Sequence, residues 1–154
     1  MRIVTGLLAI SFVLGAAHVG QSACTDPRVA TVRMQAEAMC HCTTATNHGQ
    51  YVKCVAAFAK SQVPTNLDAN CTGAVKKCAA HSICGKPGDV TCCFTTPKGP
   101  KCKTKKSADL CTMKGGTVTG TLSPPTGCSS CCDACTNPSG PSCPPHSPSG
   151  AFLD

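Results

Sequence analysis

The sequence predicts a small disulfide-rich α+β protein, with three short N-terminal helices followed by a β-hairpin or small three-stranded sheet and a cysteine-rich loop. Three observations predict it. All sixteen cysteines lie from Cys24 onward, a density typical of exported scaffolds stapled by disulfides. After residue 22 the only aromatic residues are Tyr51, Phe58, Phe94 and Phe152, with no Trp, so large core side chains are scarce. The apolar pattern repeats at three and four before Cys84 and alternates after Val90, which reads as helices and then strands.

Residues 1–22 read as a signal peptide: a lone Arg2, an apolar run from Ile3 to Ala17, then Gly20 and Ser22 as small residues before a cut. No second long apolar run follows, so secretion to the periplasm or the extracellular space is expected. Ser22-Ala23-Cys24 also resembles the end of a lipobox, but Gln21 stands where an aliphatic residue belongs, and free export is preferred to a lipid anchor on Cys24.

Residues 23–88 form the helical, cysteine-rich half. Asp26-Pro27 supplies a cap and a first-turn proline, and Val29, Val32, Ala36 and Met39 then give an apolar stripe ending near Cys40. Thr43 to Gly49 is a polar connection. Tyr51, Cys54, Val55 and Phe58 share a face of a second helix that stops before Pro64. Asp68 or Asn70 can cap a third, in which Cys71, Ala74, Val75 and Cys78 face inward, with Gly85 suited to the position past its end. Residues 89–135 form the β-rich half. Val90 to Thr95 and Lys101 to Lys105 flank a Pro/Gly turn and read as a hairpin. Ser107 caps one helical turn through Cys111, and Thr117 to Thr121 offers a third strand. Residues 136–154 are rich in Pro, Ser and Gly and read as a mostly disordered tail apart from an anchor at Cys143.

Bridging of all sixteen cysteines is expected, and parity constrains it. Seven of them (Cys24, Cys40, Cys42, Cys54, Cys71, Cys78 and Cys84) precede or open the 84–93 stretch. Nine (Cys92, Cys93, Cys102, Cys111, Cys128, Cys131, Cys132, Cys135 and Cys143) close or follow it. Both counts are odd, so complete pairing requires at least one bridge between the halves. Cys92 and Cys93 are the expected carriers, because neighbours on a strand point to opposite faces. The remaining connectivity is open, since sixteen cysteines allow roughly two million pairings.

Charge narrows the role. Fourteen Lys and Arg stand against seven acids, and nine of the lysines fall between residues 76 and 114, where only Asp89 and Asp109 oppose them. Strand alternation places Lys101, Lys103 and Lys105 on one face, with Lys98 and Lys106 extending the row. Such a row either solvates an edge strand or binds an anionic surface. Anionic polysaccharide or lipid head groups are the expected partners. Nucleic acid is disfavoured, because no aromatics interleave the lysines for base stacking.

The remaining constellations have bland readings. Cys128, Cys131, Cys132 and Cys135 have zinc-knuckle spacing, but in an exported chain oxidation competes with metal loading, so disulfides are expected and metal is the alternative. Cys40-His41-Cys42 with His48 is a weaker alternative metal set. His41 reads as a solvated helix-end residue, and His48 as a turn or cap residue. The Cys-Cys-x-x-His-Asp pattern of secreted phospholipases is absent, as are the Gly-x-Ser-x-Gly elbow and the His-Glu-x-x-His motif, so no catalytic activity and no cofactor are expected.

The segments His48-Gly-Gln-Tyr-Val-Lys-Cys-Val55, Val90-Thr-Cys-Cys93 and Ser130-Cys-Cys-Asp-Ala-Cys135 resemble those of uncharacterised cysteine-rich exported proteins from bacterial genomes. The resemblance implies export and a disulfide framework, with no functional residue to carry over. The expected role is binding or structural at the cell exterior. The alternatives are a metal-binding protein, a membrane-active toxin or defence protein, and a small secreted hydrolase.

Overall fold

A computed structural model describes residues 24–143, so the signal-peptide reading of residues 1–22 and the final part of the tail lie outside the described residues. Among the described residues, four α-helices and a four-stranded antiparallel sheet are tied by eight disulfides.

Helix α1 spans Arg28–Cys40. Pro27 has helical φ and ψ of −62° and −23°, and the Asp26 carboxylate accepts from the Arg28 N–H at 2.9 Å, the start that the residues predict. Its buried positions are Val32, Ala36 and Cys40. Met39 is exposed, contrary to the predicted stripe, because the inward face advances by fours and reaches Cys40. Helix α2, His48–Ser61, is capped by the Asn47 side chain, which accepts from Gln50 N–H, and it buries Tyr51, Val55 and Ala59. Cys54 lies on the exposed flank rather than in the stripe, where it meets Cys40.

Helix α3, Thr72–Ala80, is entered through a 3-10 turn at Ala69–Cys71. Neither predicted cap is made: Asp68 accepts instead from the Arg28 guanidinium at 2.9 Å. Gly85 is not the residue past the helix end. It sits in the following turn at φ 68°, so close to the Asn47 backbone that a side chain there would collide with it. Val32, Tyr51, Val55, Leu67 and Val75 anchor the helical core, each such burial contributing about 1.5–3 kcal/mol.

The sheet is built from β1 (Val90–Thr96), β2 (Gly99–Lys105), β3 (Thr117–Leu122) and β4 (Pro125–Gly127) in the order β2-β1-β3-β4. The helices are therefore not all N-terminal, because α4 (Ala108–Thr112), with its Ser107 cap, carries the chain from β2 to β3. The sheet has also gained a fourth strand over the predicted three. β4 is short and lies at an edge, where a proline as first residue removes no ladder bond from a neighbour.

Alternation along β1 divides the cysteines between the two faces. Cys92 bonds Cys111 of α4, and a small cluster of Val90, Phe94 and Val118 surrounds that bridge. On the opposite face, Cys93 and its cross-strand partner Cys102 bond Cys135 and Cys131 of the 128–135 loop. Neither Cys92 nor Cys93 reaches the helical half, so the predicted carriers of the crossing bridge are corrected. Three bridges close within the helical half (Cys24–Cys71, Cys40–Cys54 and Cys42–Cys84), and the seventh cysteine, Cys78, crosses to Cys132.

The 128–135 loop is thus the hub. Cys131 points to the sheet and Cys132 to α3, while Cys128 holds Cys143. Backbone bonds reinforce the junction: Ile83 N–H donates to the Ser129 carbonyl at 2.8 Å, and Cys131 N–H to that of His81 at 3.0 Å. Of the tail, Thr136 to Cys143 folds back in turns with Ser142 buried, and residues 144–154 lie outside the described residues.

A buried polar cluster seals the same junction. The Arg33 guanidinium donates to both Asp133 carboxylate oxygens at 2.5 and 3.2 Å, and Ser142 donates its backbone N–H and hydroxyl to Oδ2. Beside it, Glu37 Oε1 accepts from the Ser129 hydroxyl at 3.2 Å and the Tyr51 hydroxyl at 3.4 Å. Burial raises the Glu37 carboxyl above its ordinary range, outweighing these bonds and the Arg33 charge, and burial raises the Tyr51 hydroxyl as well. A raised carboxyl binds its proton more tightly in the folded state. Stability associated with Glu37 is therefore fully present below the ordinary carboxyl range and lost as pH rises through the folded value. Glu37→Gln should accordingly raise the melting temperature at pH 7, with the gain fading as the pH falls through the folded value and absent below 4.5, the ordinary value. Paired thermal melts at the two pH values check this, and equal gains at both would contradict it.

Candidate anionic-surface site

Strand β2 lies at the sheet edge, and its register settles where its lysines point. Lys101, Lys103 and Lys105 pair with Phe94, Cys92 and Val90 of β1. Directly opposed residues share a face, so the three lysines stand on the side that α4 covers, and Cys102 and Thr104 stand on the other. The predicted alternation holds.

The row is not uniform. Lys101 and Lys103 are exposed, while Lys105 lies along the surface with its Nζ 5.4 Å from the centre of the Phe94 ring. Desolvation, together with the charges of Lys114 and Lys103, holds the Lys105 ammonium below the ordinary lysine range. Lys98 occupies the hairpin turn at the end of the row. Lys106 is less available than predicted, because its Nζ pairs with Asp89 Oδ1 at 3.4 Å. That pair is mostly exposed on the lysine side and worth little in itself. Lys114, which follows α4, was missed from sequence. Only the fold brings it beside Lys105, by way of the Cys92–Cys111 bridge that seats α4 on β1. Among the described residues, none of Lys101, Lys103, Lys105 and Lys114 is paired with a carboxylate.

The alternative metal sets are not brought together as ligands. Cys128, Cys131, Cys132 and Cys135 diverge into four separate bridges. The sulfurs of Cys93, Cys102 and Cys135 lie within 4.8 Å of one another because two bridges run side by side on one sheet face. Cys40 and Cys42 are bonded to Cys54 and Cys84. His41 caps the end of α1, and His48 opens α2 with its ring nitrogens 2.9 and 3.2 Å from the Cys84 and Ala80 carbonyl oxygens. Cys24, the alternative lipid-anchor position, is bonded to Cys71 through the sulfur that a thioether would need.

Fold and site together define a small disulfide-stapled α+β protein with a lysine-bearing sheet edge. Compared with known proteins, the chain matches no family model, no curated protein and no solved structure. Among the described residues no helix is long and apolar enough to cross a membrane. Eight disulfides suit an oxidising compartment and are consistent with a secreted protein.

Proposed function

We propose that this is an exported, non-enzymatic binding protein that holds anionic groups, on a polymer or at a lipid surface, against the β2 face. One observation carries the reading: three lysines of an edge strand face one way, and Lys114, in the turn after α4, adds a fourth, with no carboxylate pairing them among the described residues. A lysine row that only blocked edge pairing would not need Lys114 drawn in from another element. The framework supports the same role, because eight bridges hold the charged face in a fixed geometry and lower the ordering cost of binding.

The test is retention of the oxidised protein on immobilised heparin in a salt gradient. Wild type should be retained and released by salt. Lys101→Ala/Lys103→Ala/Lys105→Ala should elute at clearly lower salt, with an unchanged circular dichroism spectrum. Elution of that variant at the wild-type position would reject the binding face and leave a merely solvated strand.

A further inference from the structure

We propose that the lysine face docks on an anionic lipid bilayer, with Leu110 and Met113 entering the head-group region beside Lys103, Lys105 and Lys114. This rests on the reading of that face as anion-binding and narrows its partner to a membrane surface.

The placement follows from how α4 is seated. The Ser107 hydroxyl accepts from Leu110 N–H at 3.2 Å and fixes the start of the turn, while Cys111 is fully buried in its bridge to Cys92. With Cys111 facing the sheet, positions 110 and 113 are neighbours on the outward side of the helix, three residues apart. Their side chains are exposed accordingly, Leu110 at 40% and Met113 at 80%.

Single exposed apolar residues are ordinary. The basic surroundings distinguish this pair: Lys114 follows Met113 directly, and Lys103 stands opposite Cys92, on the sheet face that α4 covers. Lys105 lies over Phe94 with Lys103 and Lys114 as its charged neighbours. An apolar tip flanked by three lysines, against the exposed Asp109 carboxylate of α4, still presents an excess of positive charge and complements an anionic bilayer, in which the charges meet head groups and the tip enters the acyl boundary. A polysaccharide would use the lysines and leave the apolar tip idle. Met34 and Met39 on α1 are also exposed, at 52% and 64%, but the adjacent Arg33 is consumed by Asp133. They serve as the internal control.

The experiment measures co-sedimentation of the full oxidised protein with vesicles of phosphatidylglycerol and phosphatidylcholine, and with vesicles of phosphatidylcholine alone. Heparin retention is measured in parallel, and intact mass verifies the bridges of every variant. Wild type should bind the anionic vesicles and leave the neutral ones. Leu110→Ser/Met113→Ser should lose about tenfold in partition, as expected for removing two shallowly inserted apolar side chains, yet elute from heparin at wild-type salt. Met34→Ser/Met39→Ser should match wild type in both assays. Wild type retained on heparin but not by anionic vesicles would overturn the membrane inference while leaving the lysine reading intact. Unchanged partition of Leu110→Ser/Met113→Ser would do the same. Loss of partition in the α1 control would also overturn it, by moving the contact elsewhere. Failure of wild type to bind either heparin or anionic vesicles would overturn both proposals.

Discussion

Asp133→Ala should lower the unfolding free energy by about 3–5 kcal/mol, the largest single-residue effect expected in this protein. The Asp133 side chain is 4% exposed and its partner Arg33 12%, so the lost carboxylate would leave a guanidinium without its counter-charge in a nearly dry site. Ser142 would lose the acceptor of both its backbone N–H and its hydroxyl. Gly140 packs so closely on the carboxylate that any side chain there would collide with Asp133. The cost belongs to breaking the pair rather than to the pair itself. Arg33→Met/Asp133→Asn, which removes both charges, keeps volume and leaves an amide oxygen for Ser142, should recover a large part of it. Urea unfolding of the single and double variants checks this. A single variant within 1 kcal/mol of wild type would show the junction to be wetter than its geometry implies.

Cys78→Ala/Cys132→Ala should cost about 2–5 kcal/mol, the usual range for a native bridge in a small exported domain. This bridge closes a separation of 54 residues and is the only one that joins the cysteines up to Cys84 to those from Cys92 onward. Its loss leaves the halves held by noncovalent contacts, among them the Arg33–Asp133 pair, the Ser129–Glu37 and Ser130–Cys78 hydrogen bonds and the backbone bonds of residues 81–83 to 129–131. A cut placed within residues 85–89 gives a readout that stability alone does not. In denaturant without reductant, the fragments of wild type should stay together and those of the variant should separate. Fragments of cut wild type that part without reductant would show that Cys78 and Cys132 are not bonded.

Much of the local structure was legible because it is encoded locally. The Asp26-Pro27 start, the alternation of β1 and β2 and the Ser107 cap each depend on residues within a few positions of one another. Parity alone required a crossing bridge. The rule that adjacent cysteines diverge was sound, but it applied to the crossing through Cys131-Cys132 rather than Cys92-Cys93: one sends its sulfur to the sheet and the other to α3. Nothing in the sequence ranks these two pairs. The Arg33–Asp133 pair spans 100 positions and lies beside a Pro/Ser/Gly-rich segment whose composition argues for disorder, so burial of that segment was invisible. The candidate site divides in the same way. Lys101, Lys103 and Lys105 follow from the strand period, whereas Lys114, Leu110 and Met113 join them only once Cys111 has chosen Cys92.

The placing of the lysine-bearing sheet against the helical half depends on the 128–135 loop acting as the hub, and non-reducing peptide mapping tests that most directly. After digestion on both sides of the loop, the peptide carrying Cys128, Cys131, Cys132 and Cys135 should run as one cluster with the peptides of Cys143, Cys102, Cys78 and Cys93, and no thiol should alkylate before reduction. Because Cys92 adjoins Cys93, the Cys111 peptide should belong to the same cluster. Alkylatable thiols in the loop, or a cluster that lacks the Cys78 or the Cys102 peptide, would contradict the account.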